Sequence, residues 1–374
     1  MSPTLVKWSF TSIILIFFIP FAQDASCQPP GNPFEFYSSQ SHSSIKIDNV
    51  TAWERQRYSI KDALQQVMGP LPLQLPTVSE TIYQDTFETS SYTRYNLILK
   101  GNDDILVTAY LYIPKRLGLL GDTPAMVALH PTGDLGKRIV DGEGLPNRGY
   151  ARELAERGYI VIAPDYPGYG DLQDYDFENS PYASGTMAGI TNHCLCISFL
   201  QSLSQVDGDR IGAIGHSLGG HNAMFLAALD HRIKVAVASC GWTQFEYYDI
   251  GPAAIDRYGG RLGPWAQDRY MPRLRSIYHL NGDSIPFNFH EIISLIAPRP
   301  FFSNSPVNDA NFDVKGVTVG LDLAGKVYHY LNHDDELQVR YPDAEHDFPT
   351  DTRKQAYEFI DKHLSHHPSP HHIE

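Results

Sequence analysis

The sequence predicts an α/β protein built on a largely parallel sheet covered by helices on both faces. Three observations predict it. The runs "AMVALH", "YIVIAP", "RIGAIG", "KVAVAS" and "RPFFSN" are short and apolar, as strands buried on both faces must be. Helical stretches such as "YARELAERG" and "AGITNHCLCISFLQSLS" alternate with them. With 374 residues, 42% of them hydrophobic, the chain can bury one large core carrying sizeable insertions.

Along the chain, residues 1–27 read as a secretory signal: one lysine, an apolar stretch from Phe10 to Ala22, and small residues around a cut after Cys27. No later segment is apolar enough to cross a bilayer, so a secreted or periplasmic protein without stable membrane insertion is expected. Residues 28–57 read as an extended leader, rich in Pro, Ser and Asn, before a helix over 59–68 that "GPLP" stops. "TRYNLILK" and "ILVTAYLYIP", separated by the turn "GNDD", read as an antiparallel hairpin. The remainder of 58–365 is one domain in which the alternation lapses once. Residues 241–296, rich in Trp, Tyr, Phe and Gly, form an insertion over the C-terminal edge of the sheet, where ligand chemistry is expected. A His-rich tail, residues 366–374, is expected to be disordered rather than a metal site. Cys194, Cys196 and Cys240 are odd in number and read as core residues, not as a disulfide or metal framework. The net charge of −14, with no basic cluster, argues against nucleic acid and anionic membranes as partners.

The stretch "IGAIGHSLGGH" carries the chemistry. A strand, Ile211 to Ile214, precedes Ser217, and apolar residues at helical spacing follow it. Such a strand–turn–helix strains the serine backbone, tolerates only glycine at 215 and 219, and presents the hydroxyl at a helix N-terminus. A hydroxyl needs a base, and the base needs a carboxylate. His346 lies in a late loop, "PDAEHDFP", before the terminal helix. His216 and His221, beside the serine, read as packing residues, and His130 as a brace for the loop "HPTGDLGK". For the acid, "NDANFD" offers Asp309 ahead of Asp313, with Asp283 third. Two backbone N–H groups must receive the developing oxyanion. Leu218 supplies one, and Thr132 the other, since Pro131 has no N–H. Trp242 and Trp265 of the insertion are candidate substrate contacts.

Taken together, "GHSLGG", "LHPTGDLGK", "ELAERGYIVIAPDYPGYGD", "APRP…NDANFD" and "PDAEHDFP" resemble the α/β-hydrolase superfamily, in a branch similar to the dienelactone-hydrolase and acetylxylan-esterase-like proteins. The resemblance runs from about residue 80 to 365. It implies Ser217 as nucleophile, Asp309 as acid and His346 as base, with no cofactor and no metal. It further implies a serine esterase acting on a small-molecule or carbohydrate ester. Pro131, where a Gly is usual, and Glu345, where a Gly usually precedes the catalytic histidine, depart from the pattern. Two other readings stay open: a prolyl-oligopeptidase-like peptidase and a catalytically silent binding module of the same fold.

Overall fold

The computed structural model describes residues 31–102, 105–117 and 122–368. The signal segment, Cys27 and the last six residues lie outside them. Residues 31–57 differ from the extended leader expected. They form a β-hairpin, β1 (Phe34–Ser38) and β2 (Ser43–Ile47), and the first turns of a helix, α1 (Val50–Met68). The helix begins nine residues earlier than "GPLP" alone suggested, because Asn49 caps it by accepting the Ala52 N–H at 2.9 Å. Phe36, Ile47, Trp53 and Ile60 are buried in the main core, so this segment is part of the folded body.

Three antiparallel strands follow: β3 (Val78–Glu88), β4 (Tyr92–Gly101) and β5 (Leu106–Pro114). β4 and β5 are the hairpin expected from the sequence; β3 carries no such signal, because its mostly exposed polar face gives no apolar alternation. Then come β6 (Thr123–Leu129), α2 (Tyr150–Glu156), β7 (Ile160–Pro164), α3 (Gly185–Ser202), β8 (Val206–His216), α4 (Leu218–Leu229) and β9 (Ile233–Ser239). After the insertion, with short α5 (Pro252–Tyr258), α6 (Arg273–Ser276) and α7 (Phe289–Ile296), the chain ends in β10 (Phe301–Asn304), α8 (Val314–Tyr330), β11 (Leu337–Arg340) and α9 (Thr350–His363).

The main sheet has nine strands in the order β11-β10-β9-β8-β6-β7-β5-β4-β3. From β11 to β7 every neighbouring pair is parallel. In β6, Ala125, Val127 and Leu129 enter one apolar cluster, while Met126 and Ala128 enter another on the opposite face. That is why the strand reads as an unbroken apolar run. Chain order reverses at β6, which has β7 on one side and β8 on the other. The loops after β6 and β8 therefore open a crevice at the C-terminal edge, where a ligand can settle. His366, assigned to the disordered tail, packs instead on Tyr159 with ring centroids 4.3 Å apart and bonds the Arg157 carbonyl oxygen.

Candidate active site

Ser217 sits between β8 and α4 with φ 55° and ψ −120°, a strained conformation for a residue with a Cβ. Its N–H donates to the Ser239 carbonyl oxygen on β9, and its carbonyl oxygen accepts the His221 N–H. The flanking glycines are sterically required. A Cβ at Gly215 would lie 2.1 Å from the Gly219 carbonyl carbon, and one at Gly219 would lie 1.9 Å from the Leu129 carbonyl oxygen.

From Ser217 Oγ a line of hydrogen bonds runs inward. Oγ lies 2.9 Å from His346 Nε2, and His346 Nδ1 lies 3.0 Å from each carboxylate oxygen of Asp309. The Asp309 side chain is 1% exposed. It is oriented by the Asn311 and Phe312 N–H groups, which donate to Oδ1. Asp313 instead caps α8 by accepting the Lys315 N–H, and Asp283 is an exposed loop residue. Glu345 is also exposed and makes no ion pair with His346.

The loop bearing His346 is pinned by residues that sequence reasoning did not single out. Arg148 donates to Asp347 at 2.5 Å and to the His346 carbonyl oxygen at 3.0 Å, while Asn304 Nδ2 donates to the Asp347 carbonyl oxygen. Nothing local marks Arg148; it lies about two hundred residues from its partners in the chain. His130 braces the loop after β6, as its position suggested. The Tyr166 N–H donates to Nε2, so Nδ1 carries the proton and donates to the Pro131 carbonyl oxygen at 2.7 Å. The same loop is held by a buried ion pair. Lys137 Nζ meets Asp165 at 2.5 Å, and Asp165 also accepts the Lys137 N–H.

His216 and His221 are buried beside the serine. Burial pushes His221 down to about 3, and His216 well below its ordinary value, so both imidazoles are neutral packing groups. Among the described residues, His216, Cys240 and His346 could together hold a metal ion, with donor atoms within 4.8 Å of one another. Each is already engaged: His216 with Ser239 Oγ, Cys240 with the Asp347 carbonyl oxygen, and His346 with Ser217 and Asp309. Burial also pushes the Cys240 thiol up, against the thiolate a metal needs.

Two cavities meet at Ser217, Thr132 and Asn311. One, of about 430 Å³, is lined by Leu218 and by Tyr169, Tyr248, Trp265, Tyr270 and Phe312, with Arg257 and Arg269. The other, of about 510 Å³, is lined by His346, Arg148, Leu135, Ile139 and Leu145. Trp265 thus faces a cavity. Trp242 does not: it is 1% exposed, donates to Ser303 Oγ and packs on Gly320, so it is core beneath the site.

A serine on a strained strand-to-helix turn, a buried acid–histidine line and a crevice at the sheet's switch point define an α/β hydrolase. The Alpha/beta hydrolase family model matches residues 141–357, and the chain belongs to that family. YtaP of Bacillus subtilis is 32% identical over 265 residues, 68% of this chain and 82% of its own. The carbohydrate esterase MZ0003, from an unknown prokaryotic organism, is 26% identical over 153 residues, 39% of this chain and 34% of its own. A glucuronoyl esterase from Solibacter usitatus superposes with TM-score 0.65 at 16% identity, covering 88% of this chain and 98% of that one. That likeness is one of fold. Among the described residues no helix is long and apolar enough to cross a membrane.

Proposed function

We propose that the protein is a serine hydrolase that cleaves a carboxylic ester of a carbohydrate through an acyl-serine intermediate. The observation that carries this reading is the unbroken line from Ser217 Oγ through His346 to Asp309. His346 Nε2 takes the Ser217 proton as Oγ attacks the ester carbonyl carbon, and the Asp309 carboxylate stabilises the imidazolium. The carbonyl oxygen becomes an oxyanion, received by the Leu218 N–H at the first turn of α4 and by the Thr132 N–H. Collapse breaks the bond to the alcohol oxygen, which takes the proton from His346 Nε2. Water then repeats the sequence on the acyl-serine and releases the acid.

The two cavities divide the substrate. His346 lines only the 510 Å³ cavity, so the alcohol it protonates departs there. The acyl part then extends into the 430 Å³ cavity beside Leu218, Trp265 and Tyr270. Similarity to a carbohydrate esterase supports a sugar-borne ester. The signal read in residues 1–27 makes the enzyme an exported one, secreted or periplasmic.

A hydrolysis panel tests the reading: p-nitrophenyl acetate, acetylated xylan, the methyl ester of a uronic acid and a prolyl amide. Turnover of esters and not of the amide is expected. Turnover confined to the amide would establish a peptidase, and none on a folded protein a binding module.

A further inference from the structure

A third cavity, of about 530 Å³, adjoins the acyl side. It is lined by Phe177, Pro272, Arg275 and Ser276, and shares Gln267 and Arg269 with the 430 Å³ cavity. The shared residues place the two spaces side by side, Ser217 lining the 430 Å³ cavity and not the third, and together they form a cleft. Along it stand Arg257, Arg269 and Arg275. None of them lies within ion-pair distance of a carboxylate among the described residues. Their guanidinium groups are held by other means. Arg269 stacks on Tyr169, Arg257 on Tyr258, and Arg275 donates to the Tyr258 carbonyl oxygen. Stacking and carbonyl bonds position a guanidinium without neutralising it, leaving its remaining N–H groups for an anion.

The acids of the same cleft, Asp134 and Asp268, are exposed and fewer. The lining is therefore net positive on a chain of net charge −14. At about 0.1 M salt the Debye length is about 10 Å, so contact arginines outweigh the distant negative charge. Phe177, stacked near Tyr175 with ring centroids 4.8 Å apart, adds an apolar face on which a sugar ring can lie.

Building on the ester-hydrolase reading, we infer that the cleft through Arg257, Arg269 and Arg275 binds an acidic polysaccharide, so that the ester cleaved at Ser217 is a uronoyl ester flanked by sugars with free carboxylates. The enzyme would act on a partly esterified polyuronate and bind better as neighbouring carboxylates are freed.

The test keeps the ester bond constant and changes only the charge beside it. Initial rates are measured at 0.1 M salt on polygalacturonate methyl-esterified to about half and on the fully esterified, neutral chain, with p-nitrophenyl acetate as reference. The half-esterified chain should give a kcat/KM at least about fivefold higher per ester, and R275Q should abolish most of that preference through KM, since one charge-assisted contact is worth about a tenfold change. R269Q should do the same, and K354Q, far from the cleft on α9, should not. Equal kcat/KM on the two chains, a preference that survives R275Q and R269Q together, or turnover of p-nitrophenyl acetate with neither polymer attacked would each overturn the inference. Failure of p-nitrophenyl acetate itself would instead count against the ester-hydrolase reading.

Discussion

Two regions meet at the active site and are built on different terms. The crevice floor, from β6 to β9, is held by backbone: buried strands, glycines into which no Cβ fits, and a serine locked at positive φ. The insertion, residues 241–296, has short helices and packs by aromatic side chains such as Phe245, Trp265, Phe287 and Phe289. Side-chain packing tolerates replacement where shape is conserved, whereas a backbone contact at 1.9 Å from an added Cβ does not. On the proposed function, the difference separates reaction from selectivity: the chemistry would belong to the floor, and the choice of substrate to the wall above it.

The sharpest break should come on the floor. Ser217→Ala removes the attacking oxygen without disturbing the core, and kcat should fall about 10⁴- to 10⁶-fold while the circular dichroism spectrum and Tm stay unchanged. A folded variant keeping a tenth of the activity would remove Ser217 from the reaction. Next in size is Asp309→Asn, which can neither hold His346 in the required tautomer nor stabilise its charge; a loss of about 10³- to 10⁴-fold is expected. Asp313→Asn should leave kcat nearly intact and change stability by no more than about 0.5 kcal/mol, since an asparagine oxygen caps α8 as the aspartate does and only the charge at the helix N-terminus is lost. The reverse order of damage would transfer the acid role to Asp313.

A smaller contrast lies inside the insertion, between two tryptophans the sequence could not tell apart. Trp242 is sealed in the core and Trp265 borders the cavity. Trp242→Ala should therefore cost about 3–5 kcal/mol of stability, seen as a lower denaturation midpoint, with selectivity among esters unchanged. Trp265→Ala should shift the ratio of kcat/KM between short and long acyl esters by about 1–3 kcal/mol. If both tryptophans affect stability alone, the aromatic wall is cover and not a pocket.

These contrasts also mark what the sequence could say. The parallel strands were legible because burial on both faces writes an unbroken apolar run, as in "AMVALH". The meeting of the Ser217, His346 and Asp309 side chains was foreshadowed because a tight turn needs glycine at 215 and 219, and because the acid and histidine lie in loops after late strands. The edge strand β3 was not, since most of its residues face solvent. Nor was the depth of Trp242, which is set by Gly320 and Ser303, residues far along the chain whose nearness no local pattern encodes. The N-terminal hairpin was missed for a related reason: its Pro- and Ser-rich composition reads as extended, and its strands are stable only against the core that α1 and α7 complete.

The gentlest test of the comparison is acid. Around the floor, His130, His193, His216 and His221 are all buried, and burial lowers each below the ordinary value of 6.5, with His193 and His221 at about 3. Between about pH 6.5 and 3 the unfolded chain binds protons that these neutral imidazoles refuse, so stability is full above pH 6.5 and is lost as pH falls. In the insertion the balance differs. His290 is lowered to about 4, but the neighbouring Glu291 is raised by burial to about 7 and works in the opposite direction, its contribution being lost as pH rises. His290 adds to the four floor histidines, and His363 and His366 are lowered by burial as well, so the lowered histidines outnumber the raised Glu291 and Glu336 and decide the sign for the whole protein; Tm should drop by several degrees, roughly 3–8 °C, between pH 6.5 and 5. Asp carboxylates, with an ordinary value of 3.8, barely titrate in that window. His193→Leu removes one of these titrating histidines, and its Tm should decline less steeply over the same interval, whereas Glu291→Gln should steepen the decline. A Tm that stays level from pH 6.5 to 5, or slopes that respond in the opposite order, would show that the floor is not held together by neutral histidines.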